Sequence, residues 1–350
     1  MRKVFTDFHH SSLLRSLVIL FENRLGMEVY RPIGMEWYEQ GYWAINDQHD
    51  TAKQYLSLEQ AYKPSDGTPP LNLPSGKSQE DGVYYCADPG MKTGHRACTL
   101  EYFKNNQFDF VIASIPQHIP LFKELIRKYQ AKAKLIVQMG NNWDIKQYSD
   151  LNVLASIAPV DGVDAMYYHQ EFDLNIFKPD KTMPTRKIHS FINCLPDIGG
   201  GSAWDDYNSL ITALKGKGFE FKSFGGQCPD GNMNGALNLA HKMRESQFIF
   251  HVKPGGDGFG HIIHNAYAIG RPVIARSSQY RGQLAEQLLV PGTFIDLDKH
   301  SFPDVKNMIV RLTHSPEDLA AMGNRASNRF SEVVDYVREA KEVWKWLERL

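Results

Sequence analysis

A chain of 350 residues, 42% hydrophobic and with a formal net charge of −1, can bury two cores and has no global field that draws it to nucleic acid or anionic membrane. Its four cysteines, Cys86, Cys98, Cys194 and Cys228, lack CxxC spacing, which argues against a zinc knuckle or a disulfide framework and points to a reduced, cytoplasmic setting. The opening MRKVFTDFHHSS is too polar for a signal peptide, and the run Leu13–Phe21, interrupted by Arg15, is far short of a membrane span.

Lys3–Thr6 is predicted as a first strand, ending in the polar turn Asp7–Ser12. Ser11 or Ser12 suits the N-cap of a helix over Leu13–Leu25, Gly26 its C-terminus, and Met27–Tyr30 a second strand. This β-α-β opening fits a parallel sheet whose ligands sit beyond the C-terminal strand ends, where His9 and His10 fall. Solvated loop histidines account for the same pair. Residues 31–107 have little periodicity and read as an irregular insertion; the aromatics Trp37, Tyr38, Tyr42 and Trp43 either stack on a ligand or pack over the sheet. Order returns with a strand over Phe108–Ala113, the loop Ser114–His118, a helix to about Lys132 and the strand Lys134–Gln138. A polar loop containing Asn141 and Asn142 follows, then a short helix over Leu151–Ile157 and a strand over Ala165–His169.

The polar connector Phe177–Thr185 separates a first domain, residues 1–175, from a second, residues 186–330. In the second, strands are predicted over Ile188–Cys194 and Phe219–Phe224, with helices over Ala203–Leu214 and Asn234–Glu245. Glycines Gly199–Gly201 and Gly225–Gly226 follow the two strands. Beyond Ala275 come a helix over Tyr280–Leu289, the strand Thr293–Leu297 and the helix Pro303–Thr313. Ser315-Pro316-Glu317-Asp318 starts a further helix, with a break expected near Phe330–Ser331 and a C-terminal helix in residues 331–350.

Phe248–Ala275 carries the chemistry. It reads as a strand (Phe248–Val252), a glycine-rich loop (Pro254–Gly260), a helix (His261–Ile269) closed by Gly270, and a returning strand. Glycines let backbone approach a ligand, and the N–H groups and positive dipole end of the helix favour a phosphate. Lys253, Arg276 and Arg281 are the candidate cations for it. His261 and His264 share a helix face without a zinc-type partner pattern, so they read as ligand-proximal or packing residues and no metal is expected.

Asp257-Gly258-Phe259-Gly260, then Asn265, Ala266, Ala268, Gly270, Pro272, Val273 and Ile274, resemble the donor-binding motif of GT-B glycosyltransferases, particularly the retaining family-4-like group. The likeness spans about twenty residues. It implies an α/β GT-B architecture: two Rossmann-like βαβ domains facing a cleft, with a C-terminal helical tail crossing back to the first domain. The two glutamates of that motif, spaced eight apart, fall on Asp257 and Asn265; the first keeps a carboxylate on a shorter stem, the second keeps an acceptor without the charge.

The resemblance implies transfer of a sugar, hexosyl-like, from a UDP- or GDP-linked donor, without metal or bound cofactor and with retention. It casts His118, Asp257 and Lys253 as catalytic. Donor-binding residues are then Gly258, Phe259, Gly260, His261, Asn265, Gly200, Gly201, Gly225, Gly226, Arg276 and Arg281, and acceptor-side residues His9, His10, Asn141 and Asn142. Tight turns account equally for each glycine cluster. The acceptor stays open among glycan, lipid, small molecule, protein and modified nucleic acid, as does the oligomeric state. Other readings of the same motif are a sugar-nucleotide epimerase or a non-catalytic sugar- or nucleotide-binding module.

Overall fold

The computed structural model describes residues 1–7, 11–34, 36–39, 82–86, 95–140, 144–180, 184–233 and 235–350. The chain divides into one unit made of Met1–Phe172 and Tyr336–Leu350, and a second made of Asp173–Asp335.

The first unit is built on an eight-stranded sheet. Its elements are β1 (Lys3–Thr6), α1 (Ser11–Val18), β2 (Glu28–Pro32), α2 (Glu36–Glu39), β3 (Val83–Cys86), β4 (His95–Cys98), α3 (Leu100–Asn105), β5 (Phe110–Ala113), α4 (Ile119–Tyr129), β6 (Lys134–Met139), β7 (Asn152–Ala155) and β8 (Ala165–Tyr167). The strand order is β3-β4-β2-β1-β5-β6-β7-β8, all parallel except β3. Alternation along the strands sorts side chains onto two faces. Val4, Ile112, Ile136 and Leu154 join one core, while Phe5, Val111, Val137 and Val153 join the other. Trp37 lies fully buried against Phe5, ring centroids 5.0 Å apart and 18° from parallel, and its indole N–H donates to the Cys98 carbonyl. Trp37 thus packs over the sheet, while the Tyr38 side chain, Tyr42 and Trp43 lie outside the described residues.

The first unit departs from three local expectations. The first helix does not continue as one α-helix to Leu25; Ile19–Arg24 widen into a π-turn, with Leu25 N–H donating to the Leu20 carbonyl. The stretch 151–157 holds strand β7, not a helix, because Asn152–Ala155 complete the parallel ladder beside β6 and Val153–Ala155 are buried. A strand covered on both faces is a continuous apolar run, which periodicity cannot tell from a short buried helix. The region from 31 to 107 supplies α2, β3, β4 and α3 among its described residues.

The second unit carries β9 (Thr185–Ser190), α5 (Ser202–Ala213), β10 (Glu220–Ser223), α6 (Ala236–Glu245), β11 (Ser246–Phe250), α7 (His261–Ile269), β12 (Val273–Ala275), β13 (Phe294–Asp296), α8 (Phe302–His314) and α9 (Pro316–Val333). Its five parallel strands run β10-β9-β11-β12-β13. Chain order therefore reverses between β9 and β11, the place where loops diverge and open α/β sheets bind ligands. The expected helix Tyr280–Leu289 is two 3₁₀ turns, Ser277–Tyr280 and Leu284–Gln287, separated at Arg281–Gln283, where Gly282 takes a positive φ. The break expected near Phe330 falls at Val334–Asp335, where Val334 turns extended.

The C-terminal helix α10 (Tyr336–Leu347) belongs to the first unit, where Val343, Trp346 and Leu347 pack with Leu17, Phe21 and Ile112. Glu339 fastens it by accepting from the backbone N–H of His169 and pairing with its ring Nδ1, both at 2.7 Å. Among the described residues, no helix is long and apolar enough to cross a membrane.

Candidate functional site

In the second unit, β11 ends at Phe250 and the chain runs through His251, Val252 and Lys253 into the glycine loop. Gly260 caps α7 with φ 78°, ψ 49°, in the left-handed region where a side chain is strained. A Cβ there would also lie 2.8 Å from that of Ala285. Glycine is thus required on two counts.

The loop is held in charge and in shape by its own neighbours. Lys253 Nζ lies 2.7 Å from Asp257 Oδ1, and His251 Nε2 lies 3.5 Å from Asp257 Oδ2. Burial alone raises the Asp257 carboxyl, but the His251 ring and the Lys253 charge outweigh it and hold the pKa well below the ordinary carboxylate range. His251 is itself depressed by burial, an effect partly offset by Asp257. Its ring stacks on Tyr280, whose hydroxyl donates to the His251 carbonyl at 3.2 Å. Gln283 braces the loop from the other side: its Oε1 accepts from Asp257 N–H at 2.6 Å, and its amide nitrogen donates to the Gly255 carbonyl at 3.3 Å.

Phe259 is buried and clamped by two histidines. His264 stacks on it at 4.1 Å and 17°, and His261 meets its ring edge-on at 4.7 Å. His264 Nδ1 also bonds the Gly260 carbonyl at 2.9 Å, so it packs the loop onto α7. Asn265 lies one step further along this helix, 5% exposed, and its Oδ1 has no hydrogen-bond partner.

The loop after β9 comes close to the loop after β11. At the end of the short turn Ile198–Gly201, the three glycines take successive positive φ values ahead of α5. A Cβ on Gly199 would stand 2.5 Å from Pro254, so this approach depends on glycine. Gly200 faces open space, and Gly201 is the residue preceding α5. Gly225 and Gly226 are clipped to the turn after β9 instead: Gly226 N–H donates to Asn193 Oδ1 at 2.9 Å, and its carbonyl accepts from Cys194 N–H at 2.7 Å.

The two arginines differ. Arg276 is held by Asp206 through two hydrogen bonds of 2.6 and 2.7 Å and by Asp298 at 3.1 Å, partners that keep its guanidinium firmly charged. Its fork is committed within the protein. Arg281 is exposed on the segment between the two 3₁₀ turns.

In the first unit, chain order reverses between β1 and β5, and His118 stands at that point. It ends the 3₁₀ turn Pro116–His118 and is 1% exposed. Its Nδ1 lies 3.0 Å from Asp7 Oδ2, and Ser114 donates both its N–H, at 2.9 Å, and its hydroxyl to the same carboxylate. His9, His10, Asn141 and Asn142 lie outside the described residues.

The structure thus brings together Lys253, Asp257, Gly258–His261 and Asn265, with Gly199–Gly201 alongside. Sequence reading missed His251, Gln283, Asp7 and Ser114. Asp7 and Ser114 follow directly on paired strands, since Thr6 is in register with Ile112, an adjacency that no linear pattern carries.

No family model matches the chain, and no curated protein matches it in sequence. Solved structures do. The chain is similar to HepE of Anabaena, solved in complex with UDP-glucose, at 12% identity over 100% of both chains and a TM-score of 0.62. It is similar to a glycosyltransferase from Rickettsia africae ESF-5 at 13% identity, covering 99% of this chain and 98% of that one, with a TM-score of 0.58. TarM aligns at 11% identity over 99% of both chains, with a TM-score of 0.62. At such identities the likeness establishes the fold: this chain has the GT-B fold.

Proposed function

We propose that the protein is a glycosyltransferase that takes a sugar, a hexose by the motif resemblance, from a nucleoside-diphosphate donor. The observation that carries this reading is the Lys253–Asp257 pair at the end of β11, below a glycine loop that opens onto the N-terminus of α7. A departing diphosphate needs cationic and N–H stabilisation as its charge develops. Lys253 supplies the cation; the backbone from Gly258 to His261 supplies donors, with Gly200, Gly201 and Arg281 as further phosphate contacts. Arg276, already held by two aspartates, shapes the wall rather than binding phosphate directly.

Asn265 receives a ribose hydroxyl, for which its unpartnered Oδ1 is the acceptor. Gly225 and Gly226 leave room for the base. The donor domain is residues 186–330 and the acceptor side residues 1–175, where His118 meets a substrate hydroxyl. HepE is solved with UDP and with UDP-glucose, which makes a UDP-linked sugar the first donor to test, and a GDP-linked one the next. The motif resemblance supports a retaining, metal-independent course.

A panel of UDP-, GDP-, ADP-, TDP- and CMP-sugars in a thermal-shift assay tests the binding, since a ligand of the folded state raises apparent stability. Transfer to water or to a glycan mixture tests the activity, and NMR of the new anomeric proton tests retention. One observation favours a second reading. Asn265 lacks the charge of the glutamate it replaces, as in a module that binds nucleotide without transfer; calorimetric binding with no hydrolysis or transfer would establish it.

A further inference from the structure

We propose that the groove between α5 and α8 is a second carbohydrate site, separate from the glycine loop, that holds a neutral oligosaccharide. The groove offers about 770 Å³ of space. Asp205, Asn208, Ser209 and Thr212 line it from α5, and Phe302 and Lys306 from α8. Residues at i, i+3, i+4 and i+7 share one helix face, so the four polar side chains of α5 stand in a row about 10 Å long. The opposite face of α5 anchors the helix, since Tyr207 and Leu210 are buried in one core with Val305 and Ile309 of α8. Core packing thus fixes both walls, while the polar row of α5 takes no part in it.

Among the described residues, Asp205, Asn208, Ser209, Thr212 and Lys306 have no side-chain hydrogen-bond or ion-pair partner, although Asn208, Ser209 and Lys306 are half-buried. Helical hydroxyls can return a hydrogen bond to the preceding turn, as Thr313 of α8 does to the Ile309 carbonyl at 2.8 Å. Ser209 and Thr212 make no such bond. The unused set is amphiprotic: Asn208, Ser209 and Thr212 both donate and accept, Asp205 accepts and Lys306 donates. Vicinal sugar hydroxyls, each donor and acceptor at once, match such a set. Phe302, half-buried, adds an apolar surface for the C–H face of a pyranose ring. The charges of Asp205 and Lys306 cancel, so the groove does not select a phosphate or an acidic polymer. Both walls are helices, so an extended peptide finds no strand edge to join.

The position of the groove gives it a use. α5 starts directly after Gly201, and Asp205 lies in its first turn. The groove therefore opens close to the glycine turn that meets Pro254. On the glycosyltransferase reading, on which this consequence alone rests, the groove retains a glycan acceptor beside the donor loop.

Calorimetric titration of the full-length protein with short oligosaccharides of α-glucan, β-glucan, chitin and mannan tests the site. At least one should bind wild type, and Asn208→Ala/Ser209→Ala should bind it at least about tenfold more weakly, the size expected from losing the hydrogen bonds of two side chains. Alanine favours the helix and neither residue has a partner to lose, so the melting temperature of this variant should match or exceed that of wild type. Ser209→Trp, which fills the groove, should also weaken binding, while Lys253→Met, outside the groove, should leave it unchanged. No binding of any probe, equal binding by the double variant, or binding of heparin in preference to the neutral probes overturns the proposal. Oligosaccharide binding in a protein that binds no nucleotide sugar keeps the groove and defeats the glycosyltransferase reading; nucleotide-sugar turnover without oligosaccharide binding defeats only the groove.

Discussion

Lys253 and Asp257 stand one helical turn apart in sequence yet lie in a loop, joined by a 2.7 Å contact between Nζ and Oδ1. The cation proposed for the donor diphosphate is therefore held in place before the ligand arrives. Its partner carboxylate is in turn fixed by His251 and by the Gln283 bond to the Asp257 backbone. Preorganisation of this kind matters because charge stabilisation contributes to rate only where no reorganisation is needed during reaction.

Lys253→Met keeps most of the side-chain volume and removes the charge. Turnover should fall on the order of 10²- to 10³-fold, the loss seen when one preorganised charge-stabilising group is removed. The thermal midpoint should fall, since the Asp257 carboxylate loses its cationic partner, while the chain still folds. Steady-state kinetics alongside a melting curve check both, and full activity in Lys253→Met would remove the residue from the site.

Gln283→Ala deletes the brace without touching any titrating group. Two hydrogen bonds are lost, each contributing about 1 kcal/mol. Donor affinity should weaken by about tenfold, corresponding to about 1.4 kcal/mol spent reordering the loop. Hydrogen exchange at the Asp257 amide should quicken at the same time. Unchanged exchange would show that the loop holds its shape without Gln283.

Asn265 offers a test in which stability and binding move in opposite directions. A buried carbonyl without a partner costs about 1–3 kcal/mol, so Asn265→Leu, similar in size, should leave the free protein as stable as wild type or more so. Nucleotide binding should nevertheless weaken, because the proposed ribose acceptor is gone. Differential scanning calorimetry and a nucleoside-diphosphate titration read the two effects; a variant that binds as well as wild type would exclude Asn265 as a ribose contact.

Three histidines set the acid side of the stability profile. Burial depresses His95, His189 and His251, so each takes up a proton more readily in the unfolded chain than in the folded one. Stability then rises with pH below the ordinary histidine value of about 6.5 and is lost as pH falls through that range. Asp257, depressed in the fold, adds a further loss below about pH 4, its ordinary range. Glu22, raised by burial, loses its contribution as pH rises past its ordinary range and so opposes the three histidines. The melting temperature should drop between pH 7 and pH 5; a rise would contradict the assignment of these rings as buried and neutral.

Much of the second unit was legible because its signals are local. His261–Ile269 and its closing Gly270 fall where the sequence places them, since a glycine at each end brackets one apolar helix. The strand β7 was not legible, because Val153–Ala155, buried on both faces, show no alternation. The 3₁₀ turns at Ser277–Gln287 were missed for a different reason: apolar spacing suggested a helix, but Gly282 and the Gln283 bonds to the glycine loop interrupt it. Of the candidate site, residues contiguous along the chain were visible, as with Lys253, Asp257 and Asn265. Asp7 and Gln283 were not, because their roles come from strand adjacency and a contact across 26 residues, neither of which a linear pattern carries.

The central claim is that the β11–α7 loop binds a nucleoside-diphosphate sugar through Lys253. Calorimetric titration of wild type and Lys253→Met with the donor that gives the largest thermal shift tests it most directly. Wild type should bind saturably and one-to-one, and the variant at least about tenfold more weakly, a loss of about 1.4 kcal/mol. Equal affinity of the two proteins, or no binding of any nucleotide sugar to wild type, would contradict it.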